Sequence, residues 1–302
     1  MLVSAGLISL LQGVPSRFSP ATLELLATEP WCKKWENADR SDFSTRSIGA
    51  DRDGRAACFL LWGDSHGMAI SPVVDATARE LSIAGETVLA LGKLPGIVQV
   101  DNEGVRMDFL VPWNKKALAW IERSRPRHLI LCGRWSNFFD PIEDRHDAAG
   151  EDPYTEESLS RWPRRRMLLR DNVDRLVAQC DRLNMDVWFL LEVPYNPKSV
   201  RERVLTARLS GREPSLEGMS RSEHERRVQP VREVFDGIRG PRVHVIDLAE
   251  PFFDGRDVSI VRSEGCWWYA DDDHLGPTGV RLALGDVIRE VMETVAGDCG
   301  PE

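Results

Sequence analysis

Five runs of near-continuous apolar residues recur along the chain, at Ala57–Trp62, Thr87–Leu91, His128–Gly133, Asp186–Val193 and Val243–Leu248. Continuous rather than alternating apolarity marks parallel strands covered on both faces. The stretches between them predict helices over Ala69–Ala84, Asn114–Ser124, Pro163–Leu183 and Ser222–Ile238. A last helix is predicted over Pro277–Val295, with proline in its first turn, where the missing N–H leaves no bond unmade. The alternation predicts an α/β fold, with an open parallel sheet of five strands, helices on both sides and right-handed crossovers.

Two stretches break the alternation. Residues 137–161 are acidic and loop-like, and residues 196–221 are rich in arginine with Gly211 and Pro214. Both follow the C-terminal ends of predicted strands, where open α/β sheets place their ligand sites. Ahead of the first strand, residues 12–56 are rich in Pro, Ser, Asp and Arg and read as an extended lead-in. A short helix is expected there at Pro20–Ala27, and Trp31 and Trp35 are expected to pack the segment onto the domain. The division expected is therefore a lead-in over residues 1–56 and one domain over 57–302.

Composition narrows the function classes. The net charge is −9, which argues against nucleic acid as the main partner, since phosphate binding needs a basic footprint. The six cysteines have no Cys-x-x-Cys and no metal-ligand spacing, so no metal and no cofactor is implied. Cys58 and Cys132 fall in apolar runs and read as small buried side chains. Cys32, Cys180, Cys266 and Cys299 have more polar neighbours and could pair. No run reaches the roughly eighteen apolar residues that span a bilayer. Met1–Leu11 is apolar but short, without the basic start of a signal peptide.

The chemistry concentrates in two places. Gly63-Asp64-Ser65-His66 ends the first apolar run. A serine in a tight turn from a buried strand into a helix is exposed on one side, with its backbone N–H open to a substrate. Ser65 is the candidate nucleophile, and the competing role is a helix cap by Asp64 or Ser65. Near the other end lies Asp271-Asp272-Asp273-His274-Leu275. His274 is the candidate base and Asp271 the carboxylate that orients it, three residues away. The competing role is an acidic loop with His274 as a cap. His66 is expected to tune the turn rather than act as the base. Trp267-Trp268-Tyr269 either lines a sugar-binding cleft or anchors the loop, and Arg164-Arg165-Arg166 reads as a solvated helix face.

Taken together, the serine turn after an apolar strand and the Asp271-x-x-His274-Leu275 leading into the last helix resemble the SGNH (GDSL-type) hydrolase superfamily. The resemblance covers roughly residues 57–296. It implies a flavodoxin-like three-layer α/β/α fold with a five-stranded parallel sheet, and a triad of Ser65, His274 and Asp271. Leu61-Trp62-Gly63-Asp64-Ser65-His66 and the late Asp-x-x-His are most similar to the SGNH domain fused to membrane acyltransferases of family 3. Those proteins O-acetylate cell-surface polysaccharides, including lipopolysaccharide O-antigen. His128–Gly133 with Arg134-Trp135 resembles that subfamily's third strand, and Gly13–Phe18 its junction after the last membrane helix. Met1–Leu11 would then be a remnant of that helix, with a membrane acyltransferase domain as absent partner and an extracytoplasmic, periplasmic-face location.

The sequence departs from the superfamily at the oxyanion side. The third block, Gly-x-Asn-Asp, reads Gly133-Arg134-Trp135-Ser136-Asn137 here. Asn137 is the candidate amide, at a shifted offset, and Gly92, ahead of Gly96, is the candidate amide donor after the second strand. Arg134 and Trp135 are candidate substrate contacts, with packing equally open for Trp135. The function implied is acyl-ester chemistry through an acyl-Ser65 intermediate, with O-acetyl transfer to or from a glycan. The alternatives are a plain carbohydrate or lipid esterase, a non-catalytic glycan-binding module, and a flavodoxin-like binding protein in which Ser65 only caps a helix.

Overall fold

A computed structural model describes residues 43–99, 110–139 and 156–299, apart from positions 53, 55, 197, 216 and 254. The expected helix at Pro20–Ala27, Trp31, Cys32, Trp35, the Gly13–Phe18 junction and the Met1–Leu11 segment lie outside the described residues. In chain order the elements are β1 (Arg46–Gly49), β2 (Phe59–Gly63), α1 (Ser65–Glu80), β3 (Ala84–Leu89), α2 (Leu110–Ser124), β4 (His128–Cys132), a 3₁₀ turn (Trp135–Phe138), α3 (Glu156–Arg182), β5 (Asp186–Leu190) and α4 (Val200–Leu209). They continue with β6 (Glu217–Ser220), α5 (Arg221–Phe235), β7 (Val243–Ile246), α6 (Glu250–Phe253), β8 (Val258–Ile260), β9 (Arg262–Ser263), β10 (Cys266–Trp267) and α7 (Pro277–Asp298).

The central sheet has the order β1-β3-β2-β4-β5-β7. The five strands read from the apolar runs are its parallel part, with β2 between β3 and β4. The sheet has six strands rather than five, because β1 adds to the edge antiparallel to β3. Arg46 and Ser47 of β1 are exposed and only Ile48 and Gly49 are buried, so this edge strand carries no apolar run.

Side chains alternate across the pleat. Phe59, Leu61, Ile130 and Leu190 face one core with Val74 and Ala78 of α1 and Leu284 and Ile288 of α7. Leu60, Trp62, Leu131 and Phe189 face the other, with Ile121 of α2, Val173 of α3 and Phe235 of α5. Both faces of β2 are therefore covered, and each buried Leu contributes roughly 1.5–3 kcal/mol.

Several sequence expectations change. Residues 200–209, expected in a loop-like stretch, form α4, and α3 begins at Glu156 rather than at Pro163. Cys58 is not a lone buried thiol. It is joined to Cys299, tying the chain just ahead of β2 to the end of α7. Cys180, expected among those able to pair, is a buried thiol in α3, and burial pushes it up to about 12. Arg165 does not belong to a solvated face, since it is buried and donates to the Phe139 carbonyl (2.8 Å). Trp267, Trp268 and Tyr269 are all buried, and the Tyr269 hydroxyl donates to the Pro194 carbonyl (2.6 Å), so this triplet anchors the loop.

Candidate active site

The serine turn is fixed by backbone packing. A Cβ on Gly63 would lie 2.4 Å from the Cys132 carbonyl oxygen and 2.8 Å from the Gly67 Cα. One on Gly67 would lie 3.1 Å from the same carbonyl. Only glycine lets α1 start this close to the end of β4. The helix begins at Ser65, and its cap is Asp64, whose Oδ1 accepts from the His66 N–H (2.8 Å). Asp64 Oδ2 accepts from the Arg134 N–H (2.9 Å), so one buried carboxylate joins the turn after β2 to the turn after β4. The capping role thus belongs to Asp64, and the half-buried Ser65 hydroxyl is not needed for it. The first-turn amides of a helix lack an acceptor within the helix and carry its positive end.

The loop before α7 is held by charge. Asp271 Oδ1 accepts from the backbone N–H groups of Asp273 (3.0 Å) and His274 (2.7 Å), which folds the loop back on itself. The other oxygen, Oδ2, lies 2.9 Å from His274 Nδ1. Asp273 Oδ1 lies 2.8 Å from the same nitrogen. Two carboxylates at Nδ1 require that nitrogen to carry a proton, which assigns proton acceptance to Nε2. Burial alone would lower the His274 pKa, but the hydrogen bonds and charges of Asp271 and Asp273 push it up to about 10. The two motifs meet through His66, the residue after Ser65. Its ring lies 5.0 Å from the His274 ring, centroid to centroid.

Asp273 is a second acid that the sequence did not single out. Its Oδ2 pairs with the Arg134 guanidinium and lies 3.5 Å from His66 Nε2. Arg134 and Asp273 are both buried. Although burial raises an acid, the Arg134 charge and the bonds from His274 and His66 hold Asp273 well below the usual carboxylate range. Asp272 is shifted the opposite way, upward, by burial and by its two acidic neighbours. The Asp-x-x-His spacing singles out Asp271, but no local sequence signal sets Asp273 apart from Asp272, because the partners that do so, His66 and Arg134, lie on α1 and after β4.

The remaining site expectations fall as follows. Trp135 is buried, with its indole N–H donating to the Leu190 carbonyl (2.9 Å) and its ring edge-on to Phe189 and Phe235. Arg134 is an ion-pair partner inside the site. Its guanidinium and that of Arg227 also lie over the Tyr195 ring, at 5.0 and 4.2 Å. Asn137 sits on the 3₁₀ turn after β4, and its buried Oδ1 has no hydrogen-bond partner among the described residues. Gly92 is exposed in the turn after β3, at φ +65°. That turn is tied to the serine turn, because the Ala90 N–H donates to the Gly63 carbonyl (3.1 Å). Glu192, after β5, accepts from both the N–H (2.9 Å) and hydroxyl (2.7 Å) of Ser136, and was not foreseen. His66, Asp273 and His274 bring ligand-type atoms within 4.8 Å of one another. Arg134 already occupies Asp273, and two carboxylates occupy His274 Nδ1, so the set is an ion-pair network.

The family model "SGNH domain (fused to AT3 domains)" matches residues 31–289. No curated sequence matches the chain. Among solved structures, the periplasmic domain of a lipopolysaccharide acetyltransferase from Salmonella ser. Paratyphi A is similar at 11% identity and a TM-score of 0.53, over 78% of this chain and 84% of that one. A putative acylhydrolase from Bacteroides fragilis aligns at 8% identity and a TM-score of 0.39, over 89% of this chain and 99% of that one. At such identity the Salmonella structure speaks for the fold alone, and it is consistent with the mostly parallel three-layer architecture above.

Proposed function

The chain belongs to the SGNH family of the kind fused to AT3 domains, and on that premise we propose that it carries out acyl-ester chemistry through a covalent acyl-Ser65 intermediate. The observation that carries this reading is the arrangement of His274. Its Nδ1 is held by Asp271 and its ring stands against the residue that follows Ser65. His274 Nε2 takes the proton from Ser65 Oγ as that oxygen bonds to the ester carbonyl carbon. The negative charge moves to the carbonyl oxygen, which faces the Ser65 N–H at the positive end of α1. Gly92 N–H and the Asn137 side-chain amide are the candidates for the second donor. The C–O bond to the leaving group then breaks, and His274 returns its proton to the departing oxygen. A second hydroxyl attacks the acyl-enzyme by the same steps and releases Ser65.

The hydroxyl in the second half decides between transferase and esterase. We favour a sugar hydroxyl, hence O-acetyl transfer to or from a cell-surface glycan, because the matching family model is that of domains fused to AT3 domains. A membrane acyltransferase domain is then the partner. The Cys58–Cys299 disulfide supports a location outside the cytoplasm, where such bonds persist. No described helix is long and apolar enough to cross a membrane. Water in the second half would make the protein an esterase.

Hydrolysis of p-nitrophenyl acetate tests the reading. Ser65→Ala and His274→Ala are each expected to lose about a thousandfold or more in kcat. Equal, slow hydrolysis by wild type and both variants would defeat the acyl-enzyme. Adding a glycan acceptor separates the two outcomes, since acetylated oligosaccharide marks a transferase and free acetate alone an esterase.

A further inference from the structure

We propose that Asp273, clamped by Arg134, is a second positioning residue for the His274 base. It shares the Nδ1 proton with Asp271 and sets the pH at which the site becomes active. The inference rests on the acyl-enzyme reading only for its consequence in catalysis, since the arrangement itself is geometric.

Asp271 and Asp273 approach the same nitrogen at 2.9 and 2.8 Å, yet they are built differently. Asp271 is a half-exposed loop acid that spends one oxygen on backbone amides. Asp273 is 5% exposed, and its second oxygen faces a cation from another part of the chain, 139 residues away. A buried carboxylate with no partner would take up a proton rather than bear the loss of hydration. Arg134 prevents this, so Asp273 stays ionised beside His274. Arg134 is itself held in place, since its N–H is bonded to Asp64, the cap of the serine helix. One chain of contacts thus runs from the serine turn through Asp64, Arg134 and Asp273 to the base. Asp273 holds the Nδ1 side of the imidazole together with Asp271, and being buried and ionised it also acts on the ring's charge. Its negative charge stabilises the imidazolium and delays the appearance of the neutral base.

Among the described residues, the groups facing His274 include Asp271 and Asp273 on its own loop, His66 on α1, and Arg134, which acts through Asp273. Asp272 adds to the acidity of the loop, and Glu192 lines a small cavity together with Asp273 and His66. Tyr269, buried and raised by burial and by Asp273, stays neutral across the range concerned.

The test is an NMR titration of the His274 imidazole in the folded chain, assigned by its loss in His274→Gln, and it needs no activity. Asp273→Asn should lower the midpoint by about one pH unit or more. Because this variant leaves the buried Arg134 charge uncompensated and risks misfolding, Asp273→Asn with Arg134→Gln is titrated as well and should shift in the same direction. An unchanged midpoint in either variant overturns the proposal, as does a wild-type midpoint near the ordinary histidine value. In parallel, the acid limb of kcat/KM should move down with the titration, whereas a merely structural role would lower activity at every pH without moving it. Ser65→Ala separates the two ideas. If that variant keeps its activity, the acyl-enzyme reading fails while the titration result stands on its own.

Discussion

The serine turn and the base loop bring the two halves of the site together by opposite means. The turn is held by close backbone approach, with Gly63 and Gly67 against the Cys132 carbonyl and Asp64 capping α1. The loop is held by charge, with Asp271 and Asp273 on His274 and Arg134 behind Asp273. Steric fixation is indifferent to pH and abrupt in its response to added volume. Electrostatic fixation tolerates volume but follows protonation. Ser65 is therefore placed by the fold, and the protonation of His274 is set by its ionised neighbours.

The largest effect expected is from breaking the steric half. In Gly63→Ala the new Cβ would press on backbone at 2.4 Å, with no flexible side chain to yield. A loss of about 4 kcal/mol is expected, read as a fall in Tm by circular dichroism, and the fall should be the same at pH 6 and pH 9. An unchanged Tm would mean that the turn is looser than its packing indicates.

Next comes pH, which addresses the other half. With the His274 pKa raised to about 10, the neutral base is scarce at pH 7. Since kcat/KM reports the free enzyme, it should rise about tenfold per pH unit from pH 7 and level off near pH 10. Stability should move the opposite way. A group whose pKa is raised on folding stabilises fully below its unfolded value, 6.5, and that contribution is lost as pH climbs through about 10. A flat activity profile from pH 7 to 9 would show that His274 is not the base in its resting arrangement.

The same division explains what could be read from the chain. The five parallel strands were legible because strands buried on both faces leave continuous apolar runs. The serine turn was legible because steric constraints select glycine next to the strand end, at Gly63. Edge strand β1 was not, because half of it faces solvent as Arg46 and Ser47. Nor was the Cys58–Cys299 link, whose partners are separated by 241 residues and of which one lies in an apolar run. Arg134 reads from the sequence as a candidate substrate contact after a strand, but its ion-pair partner does not, since a pair across 139 residues leaves no local periodicity. Asn137 and Gly92 are named from the sequence as candidate oxyanion donors, and their places on the 3₁₀ turn after β4 and the turn after β3 come from the structure.

Asp64→Ala sits on the boundary between the halves and should have an intermediate effect. It removes one acceptor from the His66 N–H and another from the Arg134 N–H. A cost of about 2 kcal/mol is expected from the lost cap and the buried amides left unsatisfied. Because Arg134 carries the clamp on Asp273, activity should fall by more than the loss of folded protein accounts for. Denaturant unfolding measured beside kcat/KM checks this. A stability loss with unaltered activity per folded molecule would show that the turn and the loop are independent.

The smallest effect is the most selective test of the base loop. Asp272 lies between the two acids at His274, but its pKa is shifted upward, by burial first and then by the charges of Asp273 and Asp271. A carboxylate with a raised pKa is a liability while ionised, whereas its neighbour with a depressed one is an asset. Asp272→Asn keeps the shape and removes the repulsion, so Tm should rise slightly, by less than about 1 kcal/mol in stability because the group is partly solvated. The gain should vanish at low pH, where the wild-type Asp272 is itself protonated. Its backbone carbonyl, which accepts from the Asn196 N–H (2.7 Å), is untouched by the substitution. A fall in stability at neutral pH would mean that Asp272, like Asp273, has a cation to answer it, and that the loop is held by three acids rather than two.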